Sequence, residues 1–99
     1  MLEVFRGDDQ AYRAWLAVNG DGFVVNTRRR PEPTYMVIHS AKCPKISHYN
    51  RMAKPGGFTE RDYIKICAST TEELREWTRQ HGRPDGTFSR VCSKCMSTE

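Results

Sequence analysis

Long apolar runs are missing from this sequence of 99 residues. None of its apolar segments approaches the roughly 18 residues that a membrane-spanning helix requires. The opening segment, MLEVFRGDDQ, contains acidic residues and lacks the apolar stretch of a secretory signal peptide. We therefore expect a cytoplasmic protein with no membrane partner.

Hydrophobic residues are also scarce, at 37% of the chain. A chain of this length fits one domain, and so small a domain buries only about two-thirds of its unfolded surface. A disulfide or a metal often stabilises a domain whose core is this modest. Disulfides seldom persist in the cytoplasm, so the four cysteines are better interpreted as potential metal ligands. These cysteines are Cys43, Cys67, Cys92 and Cys95.

Residue patterning predicts a single α+β domain over residues 1–99 with two helices. The first helix is capped by Asp8 or Asp9 and runs to about residue 18. Its apolar residues fall near one face, namely Tyr12, Trp15, Leu16 and Val18. The second helix covers residues 69–81 and opens with a capping box in the segment TTEE. Its inward face is formed by Leu74 and Trp77.

Three segments rich in β-branched and aromatic residues are predicted strands. They are Phe23–Thr27, Tyr35–His39 and Tyr63–Ala68. The first two form a hairpin whose tip, Arg28–Pro33, is too rich in proline for a strand. Ser40–Glu60 has few apolar residues and is predicted to be a long loop. The third strand places Ile64 and Ile66 on one face and Tyr63, Lys65 and Cys67 on the other.

Two pairs of potential ligands have the spacing of a zinc knuckle. Two residues separate Cys92 from Cys95, which lets both sulfurs reach one tetrahedral ion at about 2.3 Å. Three residues separate His39 from Cys43 at the end of a predicted strand. Together the four side chains predict a closed site for one Zn²⁺ ion, which is structural because no position stays open for water.

Other ligand sets remain open from the spacing alone. Cys67 could replace His39 to give four cysteine ligands, although a thiol inside a strand is often just a small buried hydrophobic group. His48, five residues after Cys43, is a third choice. A redox dithiol at the Cys-x₂-Cys motif is disfavoured, because redox pairs usually open a helix and none is predicted to follow.

The order of these motifs resembles a known family. A strand, the segment HSAKCP, another strand, TTEELREW and CSKC are similar to the metal-binding domain of Ada-type DNA-repair proteins. They also resemble short zinc modules appended to some bacterial nucleases. The likeness covers Tyr35 to Cys95 and implies DNA binding in a restriction, nuclease or repair system. It implies the same four zinc ligands, but His39 occupies the position of the Ada-type methyl-accepting cysteine, so methyl transfer is not implied.

Basic residues predict an anionic partner. The net charge is +4, which permits nucleic-acid binding without requiring it. Positive charges cluster at the hairpin tip, beside the first ligand pair and in the long loop, while Arg90 and Lys94 flank the second pair. We predict that cations neutralise phosphates and that a tyrosine stacks on a base. The predicted nucleic-acid contacts are Arg28, Arg29, Arg30, Lys42, Lys45, Tyr49, Arg51, Lys54 and Lys94.

Two further function classes compete with DNA binding. A zinc-stabilised protein–protein interaction module, such as a small adaptor or a phage-type inhibitor, fits the same zinc motifs. An enzyme would need an open metal position or another reactive constellation. We find no Ser-His-Asp arrangement and no glycine-rich loop that could cradle phosphate, so we expect no enzymatic activity.

Overall fold

The computed structural model describes residues 2–47 and 57–96 and confirms the α+β class. Five strands form one sheet in the order β1-β4-β2-β3-β5. All neighbouring strands are antiparallel except β3 and β5, which are parallel. The elements are β1 (Leu2–Phe5), α1 (Asp9–Val18), β2 (Phe23–Glu32), β3 (Tyr35–Ser40), α2 (Pro44–Ser47), β4 (Tyr63–Ala68), α3 (Thr71–Gln80) and β5 (Arg90–Val91).

Both faces of the sheet carry a buried cluster, which makes three layers. The α3 face contains Val25, Met36, Ile38, Ile64, Ile66, Ala68, Leu74 and Trp77. The α1 face contains Tyr12, Val24, Ala41, Cys43, Ile46, Phe58, Cys67 and Cys92. The central strands β2 and β4 are covered on both faces, so buried residues occupy successive positions in each strand instead of strictly alternating.

Helix α1 forms as predicted, with one exception on its apolar face. Asp8 is the N-cap and accepts a hydrogen bond from the Ala11 N–H at 2.9 Å. Tyr12 is fully buried and Trp15 is half-buried. The prediction for Val18 is wrong, because this side chain is 83% exposed. Six residues of helix rotate it about 120° away from Tyr12.

The predicted hairpin is confirmed, but its predicted tip is wrong. Strand β2 continues through Arg28–Glu32, and the turn itself lies at Pro33 and Thr34. The pairing of β2 with β3 shifts between Thr27 and Glu32, so Pro31 sits where the ladder is irregular. A proline is tolerated in a strand at such a position because it breaks no regular hydrogen bond.

The predicted loop after β3 contains a short helix in its described part. Helix α2 begins directly after Cys43, where Pro44 suits the first helical position. Residues 48–56 lie outside the described part, so the loop prediction is untested there. Tyr12 on α1 donates its hydroxyl to the Ile46 carbonyl at 2.6 Å, which holds α2 against the α1 face.

Helix α3 confirms the capping-box prediction at its start. Thr70 Oγ1 accepts a hydrogen bond from the Glu73 N–H, and the Glu73 carboxylate accepts one from Thr70 Oγ1. The helix ends before Gly82, whose φ of 106° lies in the left-handed region. A side chain at Gly82 would overlap Pro33, so this glycine lets the end of α3 approach the hairpin turn.

A charged side chain, Lys65, lies inside the α1 face. It is only 3% exposed, and its Nζ donates to Asn26 Oδ1 at 2.8 Å and to the Phe58 carbonyl at 2.7 Å. Burial lowers the pKa of this ammonium to about 8, and the nearby Asp9 carboxylate opposes that shift. Lys65 is therefore easier to deprotonate in the folded protein than in the unfolded chain.

This difference predicts that Lys65 adds stability as the pH becomes alkaline. Between pH 8 and 10.5 the unfolded chain retains a proton on Lys65 that the folded protein has released. Lys65 should therefore add about 3 kcal/mol to the free energy of unfolding across this window, while the raised pKa of the Cys67 thiol acts in the opposite direction. Urea unfolding at both ends of the window, for the zinc-loaded wild type and for Lys65→Met, isolates the Lys65 contribution as the difference between the two proteins. The same pH dependence in both proteins would contradict the assignment.

Candidate metal centre

Four potential ligands meet on the α1 face at the end of β3. His39 is the penultimate residue of β3, and Cys43 directly precedes α2. Cys92 follows β5 and donates its N–H to the Ile38 carbonyl at 3.0 Å. The parallel pairing of β5 with β3 thus brings the C-terminal cysteine motif beside His39.

Local turns aim the paired ligands at one point. The Cys43 N–H donates to the Ser40 carbonyl at 3.0 Å, which folds the chain back after β3. The Met96 N–H donates to the Cys92 carbonyl at 3.1 Å, which closes a turn around Cys92 and Cys95. These two turns bring the side chains of each pair close to those of the other pair.

The distances within the cluster fit one tetrahedral ion. The four donor atoms lie within 4.8 Å of one another. The Cys43 and Cys92 sulfurs are 3.9 Å apart, and Cys95 Sγ is 4.0 Å from His39 Nδ1. Two sulfurs bound to a tetrahedral ion at about 2.3 Å would be about 3.8 Å apart. His39, Cys43, Cys92 and Cys95 could therefore bind a metal ion, as the sequence predicted.

The cluster is enclosed and its cysteines are free. Three of the four ligands are buried, and Cys95 is half-buried. None of the four cysteines of the chain forms a disulfide. Three thiolates and an imidazole are soft to borderline ligands, which suit zinc better than magnesium or calcium.

The protonation state of His39 suits a ligand. Burial, together with the positive charges of Lys65 and Lys45, lowers the pKa of its imidazole to about 4. At neutral pH the ring is therefore uncharged, which is the form that binds a metal.

The thiols differ in acidity. Burial acts to raise the pKa of Cys92, but hydrogen bonds from the Lys94 and Cys95 N–H groups and from neighbouring thiols bring it below its usual value. Burial, together with its contact with Cys43, raises the pKa of Cys95 to about 12. The Ser40 N–H donates to Cys95 Sγ at 3.3 Å. A bound cation would favour the thiolate form of all three cysteines.

The alternative ligand Cys67 lies apart from this cluster. Cys67 is fully buried in the middle of β4 and pairs with Val24, which pairs on its other side with His39. Strand β2 thus separates Cys67 from His39, and two strand spacings amount to about 10 Å. Burial also raises the pKa of the Cys67 thiol, which suits an inert core residue. The other alternative, His48, lies outside the described residues.

Three of the predicted nucleic-acid contacts are lysines close in sequence to the ligands, and their surroundings differ. Lys45 is exposed and lies beside His39. Lys42 is also exposed, but its Nζ lies 3.4 Å from the Asp21 carboxylate. Lys94 is exposed within the C-terminal motif.

The three arginines of β2 also lie in different environments. Arg28 is half-buried, with its guanidinium 4.8 Å from the Tyr35 ring centroid and 5.3 Å from that of Tyr63. Arg29 donates to the Glu60 and Arg61 carbonyls, while Arg30 is exposed. The remaining predicted contacts, Tyr49, Arg51 and Lys54, lie outside the described residues.

A groove of about 430 Å³ opens beside the metal centre on the α1 face. Its described lining contains no carboxylate. The lining includes Asn26, Tyr35, His39, Lys45, Arg90 and Cys92.

Sequence reasoning did not single out Tyr35 or Asn26 as functional residues. Tyr35 opens β3 beside the hairpin turn, where burial is incomplete. Asn26 is a polar residue on the face of β2 that carries Val24. Both residues lie on the α1 face of the sheet at positions that α1 does not cover. Such uncovered positions are the signal that could have identified them.

Comparison with known proteins identifies no relative of this chain. No protein-family model matches the chain, and searches of curated proteins and of solved structures give no match either. Over residues 2–47 and 57–96, no helix has the length and apolar character needed to cross a membrane. The resemblance to Ada-type modules stays a prediction from motifs.

Proposed function

We propose that this protein is a zinc-stabilised nucleic-acid-binding module. The buried donor set of one histidine and three cysteines supports zinc as the metal, because its chemistry and spacing match a tetrahedral zinc site. All four positions are supplied by protein, so the metal has no place for a reacting water. Its role in this proposal is structural.

The groove beside the metal centre carries the nucleic-acid part of the proposal. Lys45 and Arg90 line it, and its described lining contains no carboxylate. Arg28 adds a positive charge next to Tyr35, which also lines the groove. A concave surface that carries positive charges and no negative ones attracts phosphates and raises their local concentration.

Zinc and the cations are linked through the chain. Lys45 stands two residues after Cys43, and Arg90 stands two residues before Cys92. A metal bound by both cysteines would therefore fix the two segments that carry these charges. This coupling explains why one small domain would combine a structural metal with a basic groove.

Binding should weaken steeply with salt. If Lys45, Arg90 and Arg28 each contact one phosphate, raising the salt from 50 to 200 mM should lower the affinity for single strands about 20-fold and for duplexes about 40-fold. Lys45→Ala and Arg90→Ala should each weaken binding and reduce the salt slope by about one contact. Fluorescence anisotropy with mixed-sequence DNA and RNA measures both effects.

Lys42→Ala is the matched control, because it removes the same side chain three residues away, where it pairs with Asp21. This variant should bind as tightly as the wild type. The absence of binding to every DNA and RNA probe by folded, zinc-loaded protein would overturn the proposal. In that case a stoichiometric protein partner would favour the protein–protein interaction alternative.

A further inference from the structure

The groove has the size of a small-ligand site. Its volume of about 430 Å³ lies within the range of roughly 300–1,000 Å³ that small-molecule pockets occupy. A base stacked inside a duplex cannot enter such a concavity, whereas an unstacked nucleotide can. The shape therefore favours single strands.

The groove contains polar groups that are held in place before any ligand binds. Asn26 Oδ1 accepts a hydrogen bond at 2.8 Å from Lys65 Nζ, which is itself buried. This bond fixes an amide that can recognise the edge of a base. Such preorganisation lowers the entropy lost on binding.

Planar groups accompany these polar groups. The Tyr35 and Tyr63 ring centroids are 5.9 Å apart, and the Arg28 guanidinium lies against both rings. Tyr35 is only half-buried. Aromatic rings and guanidinium planes are the surfaces on which single-strand binders stack bases.

Charge complements this arrangement at the rim of the groove. Lys45 and Arg90 are both exposed, so their head groups can reach a phosphate without losing a buried partner. A nucleotide joins a planar base to an anionic phosphate, and the groove offers groups of both kinds. A ligand with only a planar ring or only an anionic group would leave part of the groove without a matching partner.

We propose that the groove binds one unstacked nucleotide of a single-stranded nucleic acid, with its base at Tyr35 and its phosphate between Lys45 and Arg90. This inference rests on the proposed function and specifies the form of nucleic acid that is bound. The base is recognised by stacking and by the Asn26 amide. The phosphate is recognised by charge alone.

The test compares probes and variants by anisotropy on the full zinc-loaded chain. The probes are a single strand of roughly eight nucleotides, its duplex and an abasic strand of the same length. We expect the single strand to bind best. Tyr35→Leu should weaken its binding about 5- to 100-fold without changing the salt slope, whereas Tyr35→Phe retains the ring and most of the affinity.

The abasic strand provides a double-mutant cycle. Removing the base should weaken binding to the wild type by about the same factor as Tyr35→Leu, and should have little further effect in that variant. Equal losses for both strands in Tyr35→Leu would overturn the stacking assignment, even if the substitution perturbs the fold.

Three other outcomes separate this inference from the proposed function. Duplex binding as tight as single-strand binding would overturn the inference and leave the proposed function standing. A free nucleoside monophosphate that binds as tightly as the strand would also overturn the single-strand assignment. No binding of any probe would instead overturn the proposed function.

Discussion

Cys43→Ser and Cys92→Ser are each expected to unfold this protein. Structural zinc contributes on the order of 10 kcal/mol of folding free energy in small zinc domains. The whole stability of a domain is about 5–15 kcal/mol, so losing the metal removes most of it. Circular dichroism with and without chelator measures the loss of fold, and elemental analysis measures zinc, which we expect at one ion per chain.

Cys67→Ser is the matched control for this experiment. It makes the same chemical change in a buried cysteine outside the cluster. Burying a hydroxyl there should cost about 1–3 kcal/mol, and the zinc should remain bound. A fold that persists in chelator would contradict the metal assignment. Unfolding by Cys67→Ser, with His39→Ala tolerated, would instead make Cys67 the fourth ligand.

Asp9→Asn should produce the second large loss of stability. Asp9 is only 5% exposed, and its carboxylate accepts hydrogen bonds from the Phe58 N–H, the Thr59 N–H and Thr59 Oγ1. Asparagine replaces one carboxylate oxygen with an NH₂ group, which donates where an acceptor is needed. The substitution also removes a negative charge near buried Lys65. Breaking a buried charged network of this kind costs about 3–5 kcal/mol. Urea unfolding measures the cost.

The neighbouring substitution Asp8→Asn is the control for Asp9→Asn. Asp8 caps α1 from an exposed position, and asparagine caps a helix about as well. We expect a change within about 0.5 kcal/mol. Zinc content should stay unchanged in both variants, because the ligands lie elsewhere. If Asp9→Asn lowers the free energy of unfolding as little as Asp8→Asn does, the buried Asp9 network contributes little to stability.

Local patterns predicted the elements whose signals are contained within a few residues. The cap at Asp8, the capping box at Thr70 and the strand at Tyr63–Ala68 depend on neighbours in sequence, and the structure confirms them. The strand β1 was missed, because its alternation is short and ends at Phe5. The extension of β2 was missed, because Pro31 signals a break and only the irregular pairing tolerates it.

The sequence by itself determined the set of ligands to consider, since Cys-x₂-Cys and His-x₃-Cys spacings act within single turns. Only the tertiary structure brought the two pairs together and set Cys67 apart. The pairing that does this involves β5, a strand of two residues, which is too short to carry a periodic pattern. The groove likewise depends on register between distant strands, since Asn26 and Lys65 meet only across β2 and β4. Contacts between distant segments are set by the packing of whole faces, which no short stretch of sequence encodes.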